Sequence, residues 1–163
     1  MRVLVSDTSV LIDLERGRLL EEMFLLPFEF AVPDLLYARE LVGPLGDQLV
    51  RSGLRVEELT SAEVSRATTV RRQNVGLSIA DTFAFAIAES RQWTLLTGDS
   101  GLRELAVAER LETHGVLWLF DQLADGNHVE LDKLRVGLNT ISSHPRCRLP
   151  AQEVRQRLVR FTR

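Results

Sequence analysis

Cross-linking chemistry is nearly absent from this chain. A single cysteine, Cys147, among 163 residues rules out an internal disulfide, and without a CxxC pair no thiolate metal site can form. The three histidines, His114, His128 and His144, are scattered without HxxxH spacing, which argues against a paired-histidine acid–base centre. No stretch of about 18 apolar residues exists to span a bilayer, and the first residues carry no secretory pattern. A cytoplasmic protein with no membrane contact is expected. Internal repeats and low-complexity segments are also missing.

Hydrophobic residues make up 45 % of the sequence, enough at this length for one buried core. Runs of β type alternate with helical patterns from the start. Arg2 to Ser6, Phe28 to Val32, Leu54 to Leu59, Trp93 to Thr97 and Leu111 to His114 read as strands, and the segments between them as helices. Such alternation is the signature of a parallel sheet covered by helices. From Val116 onward the pattern is all helical, over about Leu117 to Leu123, Val129 to Ile141 and Ala151 to Phe161. Thr8 or Ser9 is expected to cap the helix after the first strand. Pro33 and Asp34 should open a helix over Leu35 to Val42, and Ser78 should cap a strongly apolar helix over Ile79 to Arg91.

The net charge of −3 conceals an asymmetry. Met1 to Asp132 holds 12 basic against 22 acidic residues, a net of −10, whereas Lys133 to Arg163 holds 8 basic residues against Glu153 alone, a net of +7. An acidic body with a basic tail suits a cation site and a polyanion-binding surface on one chain. A solvated helix face, or a tail that docks on an acidic partner or on the body itself, accounts for the same charges.

Four acids fall where an α/β chain places a site. Asp7 follows the first strand, Glu40 lies in the helix after the second, Asp81 opens the apolar helix, and Asp99 follows Gly98 at the end of the WTLLT strand. Ligand crevices in open parallel sheets lie just beyond the carboxyl ends of strands, so these carboxylates can converge. Like charges gathered there call for a hard divalent cation with oxygen ligands, Mg²⁺ or Mn²⁺. Each acid also has an ordinary explanation. Asp7 could cap a helix, although Thr8 and Ser9 are expected to leave it free; Glu40 could pair with Arg39 or Arg103; Asp81 could favour a helix dipole; Asp99 could serve a turn. Ser9 and Thr97 are hydroxyls placed to hold a ligating carboxylate.

VSDTSVLIDL, LYAREL, LSIADTFAFAIAES and WTLLTGDSGLRELA resemble, in order and in interval, the four acidic blocks of PIN-domain nucleases, VapC-type toxins among them. The resemblance covers about Met1 to His114. It implies a three-layer α/β/α sandwich around a mainly parallel sheet over residues 1–115, and the all-helical pattern that follows is expected to make residues 116–163 a helical extension packed on the same domain. It further implies cleavage of RNA dependent on Mg²⁺ or Mn²⁺, a toxin role with an antitoxin protein as partner, and homodimerisation. By position, Asp7, Glu40, Asp81 and Asp99 become the catalytic and metal-ligating acids, and Ser9 takes the small polar position after the first. Arg71, Arg72, Arg146, Arg148 and Arg155 are the candidate contacts to the nucleic-acid backbone.

Two departures stand out. Where many relatives carry a further acid after the last Asp, this chain reads Ser100, Gly101, Leu102, Arg103, and the extension is longer than in minimal toxins of this kind. The rival expectations are a catalytically weak or inactive PIN-like scaffold that binds RNA or protein, and a phosphohydrolase with Asp7 as nucleophile. The second would want an Asp two residues later, where Ser9 stands.

Overall fold

The computed structural model describes residues 2–162. Its strands are β1 (Arg2–Ser6), β2 (Phe28–Pro33), β3 (Arg55–Glu57), β4 (Thr94–Leu96) and β5 (Thr113–His114). They form one five-stranded sheet in the order β3-β2-β1-β4-β5, and every neighbouring pair is parallel.

Alternation along β1 divides the core in two. Leu4 points to one face, where α1 (Thr8–Arg16), α2 (Leu20–Met23), α8 (Val116–Asp125) and α9 (Leu131–Ser142) supply Leu11, Met23, Phe120 and Leu138. Val5 points to the other, against Phe85 and Ile87 of α6 (Ile79–Arg91), Val70 of α5 (Ser61–Gln73) and Leu102 of α7 (Ser100–Ala108). Successive strand side chains alternate faces, so a strand buried on both sides must be apolar at every position. Val3, Leu4 and Val5 satisfy that condition. The result is a three-layer α/β/α sandwich.

The helices after His114 belong to the first of these faces. Val154 of α10 (Ala151–Arg160) and Phe161 join the same cluster as Leu4, with the Phe161 ring stacked on Phe120 at 6.2 Å. Part of the basic tail serves this attachment. Arg157 binds both carboxylate oxygens of Asp121 on α8, Arg160 reaches Asp121 and Asp125, and Lys133 pairs with Glu22.

Three local expectations need correction. The first concerns the segment Leu35 to Val42, which is not a regular α-helix. One short turn, α3 (Asp34–Leu36), passes into a π-helical turn over Tyr37–Leu41, closed by the Val42 N–H bonding to the Tyr37 carbonyl at 2.9 Å. Leu36 and Leu41 are both buried, and residues five apart share a side only in this wider turn. Leu41 therefore faces inward, and Glu40 is exposed beside it. A second correction is that Asp7, not Thr8 or Ser9, caps α1 by accepting the Val10 N–H. Finally, Pro33 and Asp34 do open the helix, but it begins one residue early, at Asp34, with Pro33 in the cap position and Asp34 accepting from Leu35 N–H within the first turn. Ser78 caps α6 as expected, accepting the Asp81 N–H.

Helix α1, which follows β1, covers one face, and α7, which follows the adjacent β4, covers the other. Two neighbouring strands whose chains leave in opposite directions open a crevice at their carboxyl ends, the switch point where such sheets hold ligands.

Candidate active site

Asp7 lies at the floor of this crevice and is 2 % exposed. Its Oδ1 accepts from Ser9 Oγ at 2.8 Å and from Val10 N–H at 3.1 Å, and its Oδ2 accepts from Thr97 Oγ1 at 2.5 Å and Gly98 N–H at 3.3 Å. Ser9 Oγ in turn accepts from Gly98 N–H at 3.1 Å. A Cβ at Gly98 would stand 2.8 Å from Ser9 Oγ, so a side chain there would push the hydroxyl from its place between Asp7 and Gly98. Asp99 sits across the crevice, where its N–H donates to Thr97 Oγ1 at 3.0 Å and its Oδ2 accepts from Leu102 N–H at 2.8 Å, capping α7. The turn role expected of Asp99 is thus a helix cap.

Asp81 stands half-buried in the first turn of α6, and Glu40 is held by the Thr8 hydroxyl. Neither Arg39 nor Arg103 pairs with Glu40; Arg103 instead donates to the Thr97 carbonyl at 3.1 Å.

The electrostatics tie these acids together. Burial pushes the Asp7 carboxyl above its ordinary range, outweighing the hydrogen bonds from Thr97, Ser9 and Val10, and the charge of Asp81 adds to the rise. Asp81 is raised by burial and by Asp99 against the opposing hydrogen bonds of Ser78. Although much of the Glu40 side chain meets solvent, partial burial of its carboxyl raises it, followed by repulsion from Asp81 and Asp7, with Arg39 opposing. The fold has brought four acids from distant segments within range of mutual repulsion.

As they stand, no three histidine, cysteine or acidic side chains among the described residues form a ready coordination group. Thr8 holds Glu40, and Leu102 N–H holds one oxygen of Asp99. The donor set nonetheless fits a hard divalent cation in kind: several carboxylates, no soft ligand, and an excess of negative charge that lifts three of the acids.

Three contributors were not expected from the sequence. The Gly98 N–H touches Asp7 and Ser9, Thr8 restrains Glu40, and Asp13 is a fifth acid raised by burial and by Asp7, with Arg16 opposing. The repeated acids of SDTSVLID are the one signal that could have pointed to Asp13.

The candidate arginines stand on segments that carry none of the four acids. Arg71 and Arg72 are exposed on the last turn of α5; Arg146 and Arg148 are exposed in the loop between α9 and α10, and Arg155 is exposed on α10. None of the five forms an ion pair with another described residue.

A strand-end acid pair at the switch point of a parallel α/β/α sandwich stands where sheets of this class hold their ligands. A family model described as a PIN domain matches residues 3–163, and the chain belongs to that family. The match runs through α8, α9 and α10 as well as the sheet. No curated protein matches the chain.

Proposed function

We propose that this protein is a metal-dependent endoribonuclease that hydrolyses RNA phosphodiester bonds. The observation carrying the proposal is the meeting of Asp7 and Asp99 through Thr97 at the switch point, with Asp81 and Glu40 in electrostatic contact. Asp7, Asp81, Asp99 and Glu40 would hold Mg²⁺ or Mn²⁺, which supplies an activated water and charge relief on the phosphate. Ser9 and Thr97 keep Asp7 oriented, because each hydroxyl donates to one of its two oxygens beside a backbone N–H, that of Val10 on Oδ1 and that of Gly98 on Oδ2. Glu40, the outermost of the four, is placed to orient the attacking water and take its proton. Residues 1–115 act as the nuclease module and residues 116–163 as an extension packed on it. Arg146, Arg148 and Arg155, with Arg71 and Arg72, hold the RNA backbone by charge.

Purified protein incubated with mixed RNAs should cut them with Mn²⁺ or Mg²⁺ and not with EDTA, and Asp7→Asn or Asp99→Asn should abolish cutting. Cleavage that persists in both variants would refute the assignment. A second reading, a PIN-like scaffold that binds RNA or protein without turnover, draws support from the absence of a ready coordination group among the described residues. Tight RNA binding with no cutting under any metal would favour it. A role as the toxin of a toxin–antitoxin pair, acting as a homodimer, predicts that strong expression arrests growth and that a small neighbouring gene product relieves it.

A further inference from the structure

A cleft of about 330 Å³ opens between α5 and the start of α6, on the surface away from the sheet. Val75, Ile79 and Phe83 line it with apolar surface, and Arg71 and Arg72 add charge. Val75 is 89 % exposed, an apolar side chain standing in water beside a hollow. The other arginines of this helix pair are occupied: Arg66 grips Glu89 with two nitrogens, and Arg91 grips Glu63. Arg71 and Arg72 have no such partner among the described residues.

Resting on the nuclease reading above, we propose that this cleft is a subsite for one base of single-stranded RNA, with the adjoining phosphates on Arg71 and Arg72. Charge complementarity selects the occupant. In a body of net −10, two free guanidinium groups beside an apolar floor fit a ligand that is anionic on one side and flat and apolar on the other. The volume takes a planar ring system and not a helix about 10 Å across. A duplex keeps its bases stacked inside and has none to offer. Helical geometry links the cleft to the acids. At about 100° per residue, Ile79 and Phe83 share one side of α6 and Asp81 lies on the opposite side of the same first turns. A strand seated in the cleft crosses the start of α6 to reach the carboxylates.

The test is fluorescence anisotropy of a labelled single-stranded RNA decamer with the full chain in EDTA, where no cutting occurs. Val75→Asp, at a site too exposed to disturb folding, and Arg71→Ala/Arg72→Ala should each weaken binding about tenfold. Phe83→Ala should weaken RNA and leave inorganic polyphosphate, which has no bases, unchanged. Wild-type affinity in Val75→Asp and Arg71→Ala/Arg72→Ala would overturn the subsite. Equal losses for RNA and polyphosphate in Phe83→Ala would do the same, as would a change from dimer to monomer in Val75→Asp, which would mark the cleft as an interface between copies. The nuclease reading fails separately, through wild-type protein that binds the decamer in EDTA yet cuts no RNA when Mn²⁺ or Mg²⁺ is supplied.

Discussion

Thr97 Oγ1 donates to Asp7 Oδ2 at 2.5 Å, joining the carboxyl ends of two adjacent strands across 90 positions of sequence. The same oxygen accepts the Asp99 N–H at 3.0 Å. One hydroxyl therefore ties the Asp7 carboxylate to the backbone of Asp99.

Thr97→Val keeps the shape and removes both bonds. Cleavage is expected to fall about 10- to 100-fold, the usual cost of losing a group that orients a metal-binding ligand. Because Thr97 is the largest influence holding the Asp7 carboxyl down, the acidic limb of the pH–rate profile should also move to higher pH. An unmoved limb would show that Thr97 is only a packing residue.

Asp7, Asp81 and Glu40 are all raised in the fold above 3.8, 3.8 and 4.5. The sign follows: their contribution favours the metal-free fold at low pH and is lost as pH rises through the raised values. Mn²⁺ should oppose this loss. At about 100 times its dissociation constant it should add about 2.7 kcal/mol, and the gain should shrink as acid protonates the ligands. Thermal melts with and without Mn²⁺ across pH measure it, and equal melting temperatures at neutral pH would exclude a metal site.

Glu63 is buried at 3 % exposure and carries the opposite shift. Burial alone would raise it, but the Arg91 guanidinium, the Thr60 N–H and Ser90 bring it down to about 2. Its contribution is present above 4.5 and is lost as pH falls through about 2. Glu63→Gln removes the charge that pairs with Arg91 while its amide oxygen can still accept the Thr60 N–H of the capping box, and the lost ion pair should cost about 1 to 3 kcal/mol in urea denaturation at neutral pH.

Gly137 of α9 lies against the end of α1, where an added Cβ would stand 2.9 Å from the Gly17 carbonyl and 2.8 Å from Leu19 Cδ1. The backbone atom cannot yield cheaply. Gly137→Ala should destabilise the protein by about 1 to 3 kcal/mol, read as a lower urea midpoint. An unchanged midpoint would mean that α9 is not packed tightly on α1.

Arg146→Ala/Arg148→Ala/Arg155→Ala should weaken RNA binding and reduce the slope of log K against log salt by about 2, or roughly 0.7 for each lost phosphate contact. Arg157→Ala, which releases Asp121 on α8, should lower stability instead and leave the slope unaltered. A triple variant with the wild-type slope would assign the tail's charge wholly to packing.

The strands and most helices were readable because each depends on a local pattern: Val3 to Val5 are apolar throughout, and Ser78 precedes an apolar helix. The order of the four acids was readable in the same way, since strand ends and helix starts are local features. The π-turn was not. It depends on Leu36 and Leu41 both facing the core, a demand imposed by α6, which packs on α3, and by the helix α4 (Pro44–Ser52), which packs on the π-turn, rather than by the LYAREL segment. The cap of α1 was misjudged because Thr8, Ser9 and Asp7 are equally able to cap in isolation. Asp7 takes the task while also accepting from Thr97, a partner that arrives only when β4 pairs with β1. The charge of the basic tail fitted a polyanion-binding surface and docking on the body alike, and Asp121 and Asp125 of α8 show that part of it does the second.

By itself, then, the amino-acid order determined a sheet-and-helix alternation and which carboxylates stand at its strand ends, because propensity and periodicity act over a few residues. Tertiary structure alone decided which of those carboxylates repel one another, which hydroxyl orients Asp7 and which arginines remain free, because hydrogen bonds and Coulomb forces depend on distance through space and not along the chain.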